Sequence, residues 1–473
     1  MRDDATPETG PEAGAPPAAL LDRLRRCLPP AALLTGEAIG SAYQEDMRNR
    51  PSARPGLVLR PSTTAEVSEA LAACSVAGQP VVVQGGRTGL SGGHRVQPGE
   101  VVLSLERLNA LGLVDPDSRT ILADAGVPLQ RVQEAAAEAG LMFGVDIGAR
   151  GTALIGGTIA TNAGGIRVLR YGNLRAQVAG LEAVLPDGAV LTSLRGLDKD
   201  NTGYDLNGLF IGSEGTLGVV TRALLRLHPA PRVEANALMA LPSAEAALAL
   251  LGRLRGVVGR QLSAFEIMLS DIYGGVVSHL GRAAPLPTGA PVYVLAEIQS
   301  EVADDACADR FPEALMAAVE EGLVTDAVIA QSRREFLQLW ELRDACAEHL
   351  RSLPNRVNCD ISVPSARIAG FLDASRAAIR ALDPEARFLV FGHIADGNLH
   401  YVFQTKAQDA AEACLMRLVA DWGGSVSAEH GVGLDKKRWL GLVRSPAELA
   451  AMRGIKRALD PAGILNRGRI FDL

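Results

Sequence analysis

Apolar positions follow different rhythms in the two halves of the chain. In the first half, Thr63-Thr64-Ala65-Glu66 is a capping pattern ahead of a helix whose apolar face is Val67, Ala70, Leu71 and Cys74. Gly78 closes that helix and Pro80 releases the strand Val81-Val82-Val83, which runs into a glycine loop. Beyond about Pro229 the pattern turns to Ala/Leu stretches at helical spacing, Glu245–Leu254 and Pro312–Glu321, alternating with strands such as Val292–Ile298. Pro229 and Pro231 interrupt any continuing element, so a boundary falls at His228–Arg232 and separates residues 19–230 from residues 231–473. A last helix, Ala450–Leu459, stops at Asp460-Pro461.

Between Gly85 and Gly218, glycine clusters punctuate short β-branched runs, the texture of an α+β unit with many close backbone approaches. The first cluster, Gly85-Gly86-Arg87-Thr88-Gly89-Leu90-Ser91-Gly92-Gly93, follows a buried strand, so its amides can turn toward one anion. It is neither a GxGxxG opening a helix nor a GxxxxGK[ST] loop, which removes support for both common nucleotide folds. The second, Ile155 to Gly165, offers small residues and hydroxyl or amide donors against which a flat ring system can lie. Taken singly, each cluster reads equally well as a pair of turns.

Composition narrows the partners. A net charge of -7 from well-mixed acids and bases leaves no basic stripe for nucleic acid. The six cysteines are widely spaced, without CxxC pairs, and read as reduced thiols of a cytoplasmic protein. The most apolar segment, Asn236–Leu254, is broken by Pro242, Ser243 and Glu245, so no transmembrane segment is expected. Residues 1–18, rich in Ala, Pro, Gly and acids, read as a disordered leader.

Of seven histidines, three lie in two short motifs, His393-Ile394-Ala395-Asp396-Gly397-Asn398-Leu399-His400 and Ala428-Glu429-His430-Gly431. The first predicts a hairpin with a two-residue turn at Asp396-Gly397, which would set His393 directly opposite His400 and let both imidazoles chelate one ion. Glu429 would complete a two-histidine, one-carboxylate set with an open position, as in a catalytic zinc site; manganese or iron(II) suits the same donors. His430 is then the general base. The bland alternative is three histidines in a glycine-rich hairpin and loop.

The glycine clusters, with Ile211-Gly212-Ser213-Glu214-Gly215-Thr216-Leu217-Gly218, resemble in their order the loops of the vanillyl-alcohol oxidase and p-cresol methylhydroxylase flavoproteins. Asp146 to Gly165, Leu169 to Leu174, Asp200 to Leu206 and Leu262 to Glu266 are similar to the D-2-hydroxyglutarate dehydrogenases. That resemblance implies a two-part FAD-binding domain of the p-cresol methylhydroxylase type, an α+β substrate domain, and a C-terminal helical segment that returns to the flavin. The cofactor set it implies is Gly85, Gly86, Arg87, Thr88, Gly89 and Leu90, then Gly148, Gly156, Gly157, Thr158, Thr161, Asn162, Gly164 and Gly165. Tyr171, Gly172, Glu214, Gly215, Gly218, Val219 and Asn466 complete it. Because the first loop offers Arg87 and Thr88, with His94 beyond it, FAD is expected to be non-covalent.

In the resembling enzymes the metal is zinc, held by the residues matching His393, His400 and Glu429, and the residue matching His430 takes the hydroxyl proton. Arg343 occupies the position of their substrate-binding arginine. Ala347, Asn358 and Val402 depart from that pattern, which points toward a monocarboxylic or apolar D-2-hydroxy acid, unless Arg356 supplies the second cation. The alternatives are a D-lactate or glycolate dehydrogenase, and a non-redox enzyme like alkylglycerone-phosphate synthase. An electron-transfer flavoprotein or a quinone is the expected electron acceptor, and a homodimer the family expectation.

Overall fold

The computed structural model describes residues 16–473. The leader lies outside the described residues up to position 15; at its far end, Ala18 already begins a helix, Ala18–Cys27.

The helix Thr64–Val76 forms where the capping pattern places it, with the Thr63 hydroxyl accepting the Glu66 N–H. Its buried side, Val67, Ala70, Leu71 and Cys74, packs with Leu20 and Leu24 of the first helix on a small sheet. That sheet runs in the order Leu33–Thr35, Leu57–Leu59, Val101–Ser104, Val81–Gln84. The last three strands are parallel. A second, antiparallel sheet follows in the order Leu111–Asp115, Thr120–Asp124, Val219–Arg226, Val178–Val184, Val190–Thr192. Its core takes in the helices Leu129–Glu138 and Ile155–Thr161. The second glycine cluster is therefore a short helix rather than a loop. Ile155 and Ile159 bury one side of it, and the left-handed Asn162 ends it.

The remainder is a seven-stranded antiparallel sheet, ordered Asp326–Ile329, Val233–Leu241, Val292–Ser300, Leu262–Leu269, Arg387–Gly392, Asn398–Gln404, Arg356–Ser362. Four helices, Ala244–Val258, Cys307–Glu320, Ile368–Leu382 and Gln408–Asp421, share a core with one face. Ser270–Leu280 and Arg333–Arg351 cover the other. The helix expected from Pro312 begins earlier, at Cys307, because the Asp305 carboxylate accepts the Cys307 N–H and starts the turn. No helix among the described residues is long and apolar enough to cross a membrane.

The chain ends where it began. After the helix Pro446–Leu459, Leu465 bridges in parallel to Val81, the strand that leads into the first glycine loop. Buried Lys456 holds this return: its ammonium donates to Thr216 O at 2.7 Å and Leu465 O at 2.9 Å, and pairs with the buried Asp460 carboxylate. Replacing Lys456 by Met leaves that carboxylate without its cation. The expected loss is about 3–5 kcal/mol, read from the urea midpoint of the variant against the wild type.

Candidate functional site

Three glycine clusters, distant in sequence, line one narrow cleft: Gly85 from the first, Gly156, Gly157 and Ala160 from the short helix, and Ser213, Glu214, Gly215, Gly218 and Val219 from the third. Two kinds of glycine make it. A Cβ on Gly86 would lie 2.0 Å from Thr152 O, so the backbones can touch only there; a Cβ on Gly157 would meet nothing within 4 Å and would stand in the cleft itself. This cradle fits the backbone-on-ring approach that a flavin dinucleotide needs. Not every expected cofactor contact is available. The hydroxyls of Thr158 and Thr161 donate to helix carbonyls, Ile155 O and Gly157 O, and the Asn162 amide oxygen caps Arg175 N. The Tyr171 hydroxyl donates to Gln299 and its ring packs on His228. These polar groups are engaged within the protein.

The histidine hairpin forms, but not in the expected register. His400 pairs with Phe391 rather than His393, because the connection spans residues 393–397. Asp396 N bonds His393 O at 3.2 Å and the Asp396 carboxylate accepts Asn398 N, so the turn is built on five residues rather than on Asp396-Gly397 alone. The wider turn still returns His393 to His400, with ring centroids 5.4 Å apart. One donor atom each from His393, His400 and Glu429 lies within 4.8 Å of the others.

Behind each ring stands a buried carboxylate. Glu266 accepts from His393 Nδ1 at 2.6 Å and Arg343 Nε at 2.7 Å, leaving His393 Nε2 toward Glu429, 3.8 Å away. Burial alone would raise Glu266 and lower His393, yet the pairing wins in both. It holds the carboxyl below its usual range, and Glu266 and Glu429 draw the imidazole up to about 9. A spot that keeps a proton on a buried imidazole is one that stabilises positive charge, which suits a divalent cation. Orientation of a ligating imidazole by a carboxylate on its other nitrogen is the usual arrangement in metal sites. A second grouping, Asp360, His400 and His430, is equally compact. It suits a metal less well, because both Asp360 oxygens already accept N–H groups.

Asp360 is the centre of the other half of the site. Its Oδ2 accepts the backbone N–H groups of Ala428, Glu429 and His430 at 3.2, 2.9 and 3.0 Å, and its Oδ1 accepts the Asn398 amide at 2.9 Å. His430 Nδ1 stands 3.5 Å and His400 Nδ1 3.7 Å from it, with Lys436 Nζ at 3.5 Å. Burial opposes the charge, but these neighbours hold the carboxyl well below the usual range. Burial also lowers His430, which favours its neutral, proton-accepting form. Asp360 and Glu266 are missing from the residues singled out in the sequence. Their signal is a lone acid inside an apolar strand pattern, Val-Asn-Cys-Asp-Ile and Ala-Phe-Glu-Ile.

The loop that carries Glu429 and His430 rests directly on the cofactor cleft. Glu214, expected to face the cofactor, instead turns its carboxylate to the N–H groups of Val432 and Gly433 at 2.7 and 2.8 Å. Ser91 Oγ donates to His430 O at 3.0 Å and Gly431 O at 2.8 Å, while Gly165 N donates to Glu429 Oε1 at 3.0 Å. Gly433 has φ +53 and passes so close to Ser91 O that a Cβ would sit 2.0 Å from it. Asn466 joins the same seam, accepting from Val83 N and donating to Glu214 O. Arg343 lies over the Phe391 ring at 4.7 Å, beside the histidines. Arg356 is turned away, donating to Arg351 O and Leu353 O. His94 faces Glu45 O.

Residues 55–193 match the family described as FAD binding domain, and residues 230–470 match FAD linked oxidases, C-terminal domain. D-2-hydroxyglutarate dehydrogenase of Xanthomonas citri pv. viticola is 40% identical over 459 residues, 95% of this chain and 96% of that one. The mitochondrial D-2-hydroxyglutarate dehydrogenase of Bos taurus is 40% identical over 87% of this chain and 76% of its own. The crystal structure of p-cresol methylhydroxylase with substrate bound superposes with a TM-score of 0.77 at 17% identity, covering 98% of this chain and 99% of that one, and so shares the fold.

Replacing Glu214 by Gln sets an amide N–H₂ against a buried backbone N–H, a mismatch of about 1–3 kcal/mol. Hydrogen exchange at Val432 and Gly433 should accelerate accordingly, with no change in the central strands of the seven-stranded sheet.

Proposed function

The chain belongs to the D-2-hydroxyglutarate dehydrogenase family of FAD-linked oxidases, and we propose that it oxidises a D-2-hydroxy acid to the 2-oxo acid with His430 as base beside a divalent metal. The observation that carries this reading is convergence: Arg343 and His393 share Glu266, the His430 ring stacks on His400, and Glu429 and His430 lie on a loop bonded to the cofactor cleft.

Each residue has a task in that reaction. Removing a hydride from the alcohol carbon requires removal of the hydroxyl proton, whose pKa lies far above neutrality. His430 accepts it, and Asp360, facing its Nδ1, stabilises the imidazolium that results. A divalent metal held by His393, His400 and Glu429 would polarise the same hydroxyl oxygen. FAD, when bound along the glycine cleft, supplies the hydride acceptor. Arg343, with only its Nε engaged by Glu266, keeps guanidinium N–H groups for the carboxylate next to the reacting carbon. Zinc is the metal we favour, and an electron-transfer flavoprotein or a quinone the acceptor.

His430→Ala should retain FAD and metal while lowering turnover on a true substrate about a hundredfold or more. Unchanged turnover would remove His430 from the reaction. The reading as a whole is tested by anaerobic bleaching of the flavin absorbance with the D- and L-forms of 2-hydroxyglutarate, malate, lactate and 2-hydroxybutyrate. Bleaching by a D-acid, lost on chelation and restored by metal, is the expected result. A flavin that none of these acids bleaches would favour a non-redox reaction on the same fold.

A further inference from the structure

One cation beside the site has no carboxylate of its own among the described residues. Arg48 lies in the segment 45–50, which the cofactor half holds down: Asp46 Oδ1 accepts the N–H groups of Arg48 at 2.8 Å and Arg50 at 3.2 Å, and Glu45 O faces His94 Nε2. From there its guanidinium crosses to the other half, where Nη2 donates to Asn358 O at 3.3 Å. Asn358 is on the edge strand Arg356–Ser362, two residues from Asp360 and therefore on the same face. The half-buried Arg48 has its Nε buried without a hydrogen-bond partner, so the contact to Asn358 engages only part of the fork. A buried donor left unpaired beside a reaction centre asks for an acceptor.

Arg343 and Arg48 each keep part of the guanidinium unengaged, and their placement is informative. Arg343 lies over Phe391, and Arg48 reaches the strand of Asp360, two strands further across the sheet. At about 4.8 Å per strand those two strands are about 10 Å apart, with His400 on the strand between them. Arg356 does not compete, since its guanidinium is bonded to the carbonyls of Arg351 and Leu353.

Resting on the dehydrogenase reading above, we propose that Arg48 is a specificity-determining residue that receives a second anionic group at the far end of the substrate, opposite the end held by Arg343. The pocket is then selective for acids charged at both ends, and the selecting cation comes from the cofactor half of the chain.

The test compares kcat/KM for D-2-hydroxyglutarate and D-2-hydroxybutyrate, acids that differ in a terminal carboxylate, in the FAD- and metal-loaded wild type and in R48L and R48K. The wild type should prefer the dicarboxylate, and R48L should reduce that preference at least about tenfold, mainly through KM, the loss expected for one charged hydrogen-bonded contact. R48K should retain part of it, which a role confined to bracing the sheet edge would not produce. An R48L preference within twofold of the wild type overturns the proposal. Should R48L fail to hold FAD, a wild type that turns over both acids with equal kcat/KM overturns it instead. Failure of both acids to bleach the flavin would count against the dehydrogenase reading, a result distinct from bleaching by both without preference.

Discussion

A single buried carboxylate, that of Asp360, sets the geometry on which the rest of the site depends. Three consecutive backbone N–H groups, an asparagine amide, a lysine and two imidazoles surround it. A carboxylate taken out of water must be compensated almost completely, or it is strongly destabilising. The neighbouring loop does this by bending at residues 428–430 so that all three amides converge. That bend turns Glu429 and His430, which in an extended strand would point to opposite faces, toward one place. The same charge faces both His400 and His430, so the two imidazoles are referred to a common fixed point.

The second constraint is that neither half of the chain completes the site. The loop of Glu429 and His430 belongs to the C-terminal half but lies against Ser91 and Glu214, residues of the cofactor loops. Glu429 takes a backbone N–H from the end of the second glycine cluster. The C-terminal segment then returns to the strand ahead of the first loop and is locked there by Lys456 and Asn466. The positions of His430, of the His393, His400 and Glu429 cluster and of the cofactor cleft are thereby fixed relative to one another, and such positioning is the main contribution a protein makes when the cofactor carries the hard chemistry.

Much of this was legible in the sequence, for local reasons. The cap at Thr63 and the apolar face behind it predict the first helix because capping and periodicity act over a few residues. The seven-stranded sheet was visible only as alternating helices and strands, since its order is a matter of long-range pairing. The hairpin was predicted and its register missed: Asp-Gly suggests a two-residue turn, but the Asp396 side chain bonds Asn398 N and widens it. The glycines of the second cluster suggested a loop, whereas the apolar spacing of Ile155 and Ile159 specified a helix. Glu266 and Asp360 were passed over because an acid in a buried strand announces a partner without saying which. That the Glu214 carboxylate would bond the N–H groups of Val432 and Gly433 was not legible, because those residues are more than two hundred positions away.

The proposed reaction requires that His393, His400 and Glu429 hold a metal independently of the flavin. That requirement is tested most directly by metal analysis and FAD absorbance on the same sample of wild type, His393→Ala and His400→Ala, purified without chelator. Stoichiometric divalent metal in the wild type and its loss in both variants, with FAD content unchanged, is the predicted result. A variant that keeps its metal, or a wild type that binds none when zinc, manganese and iron(II) are supplied, would contradict it.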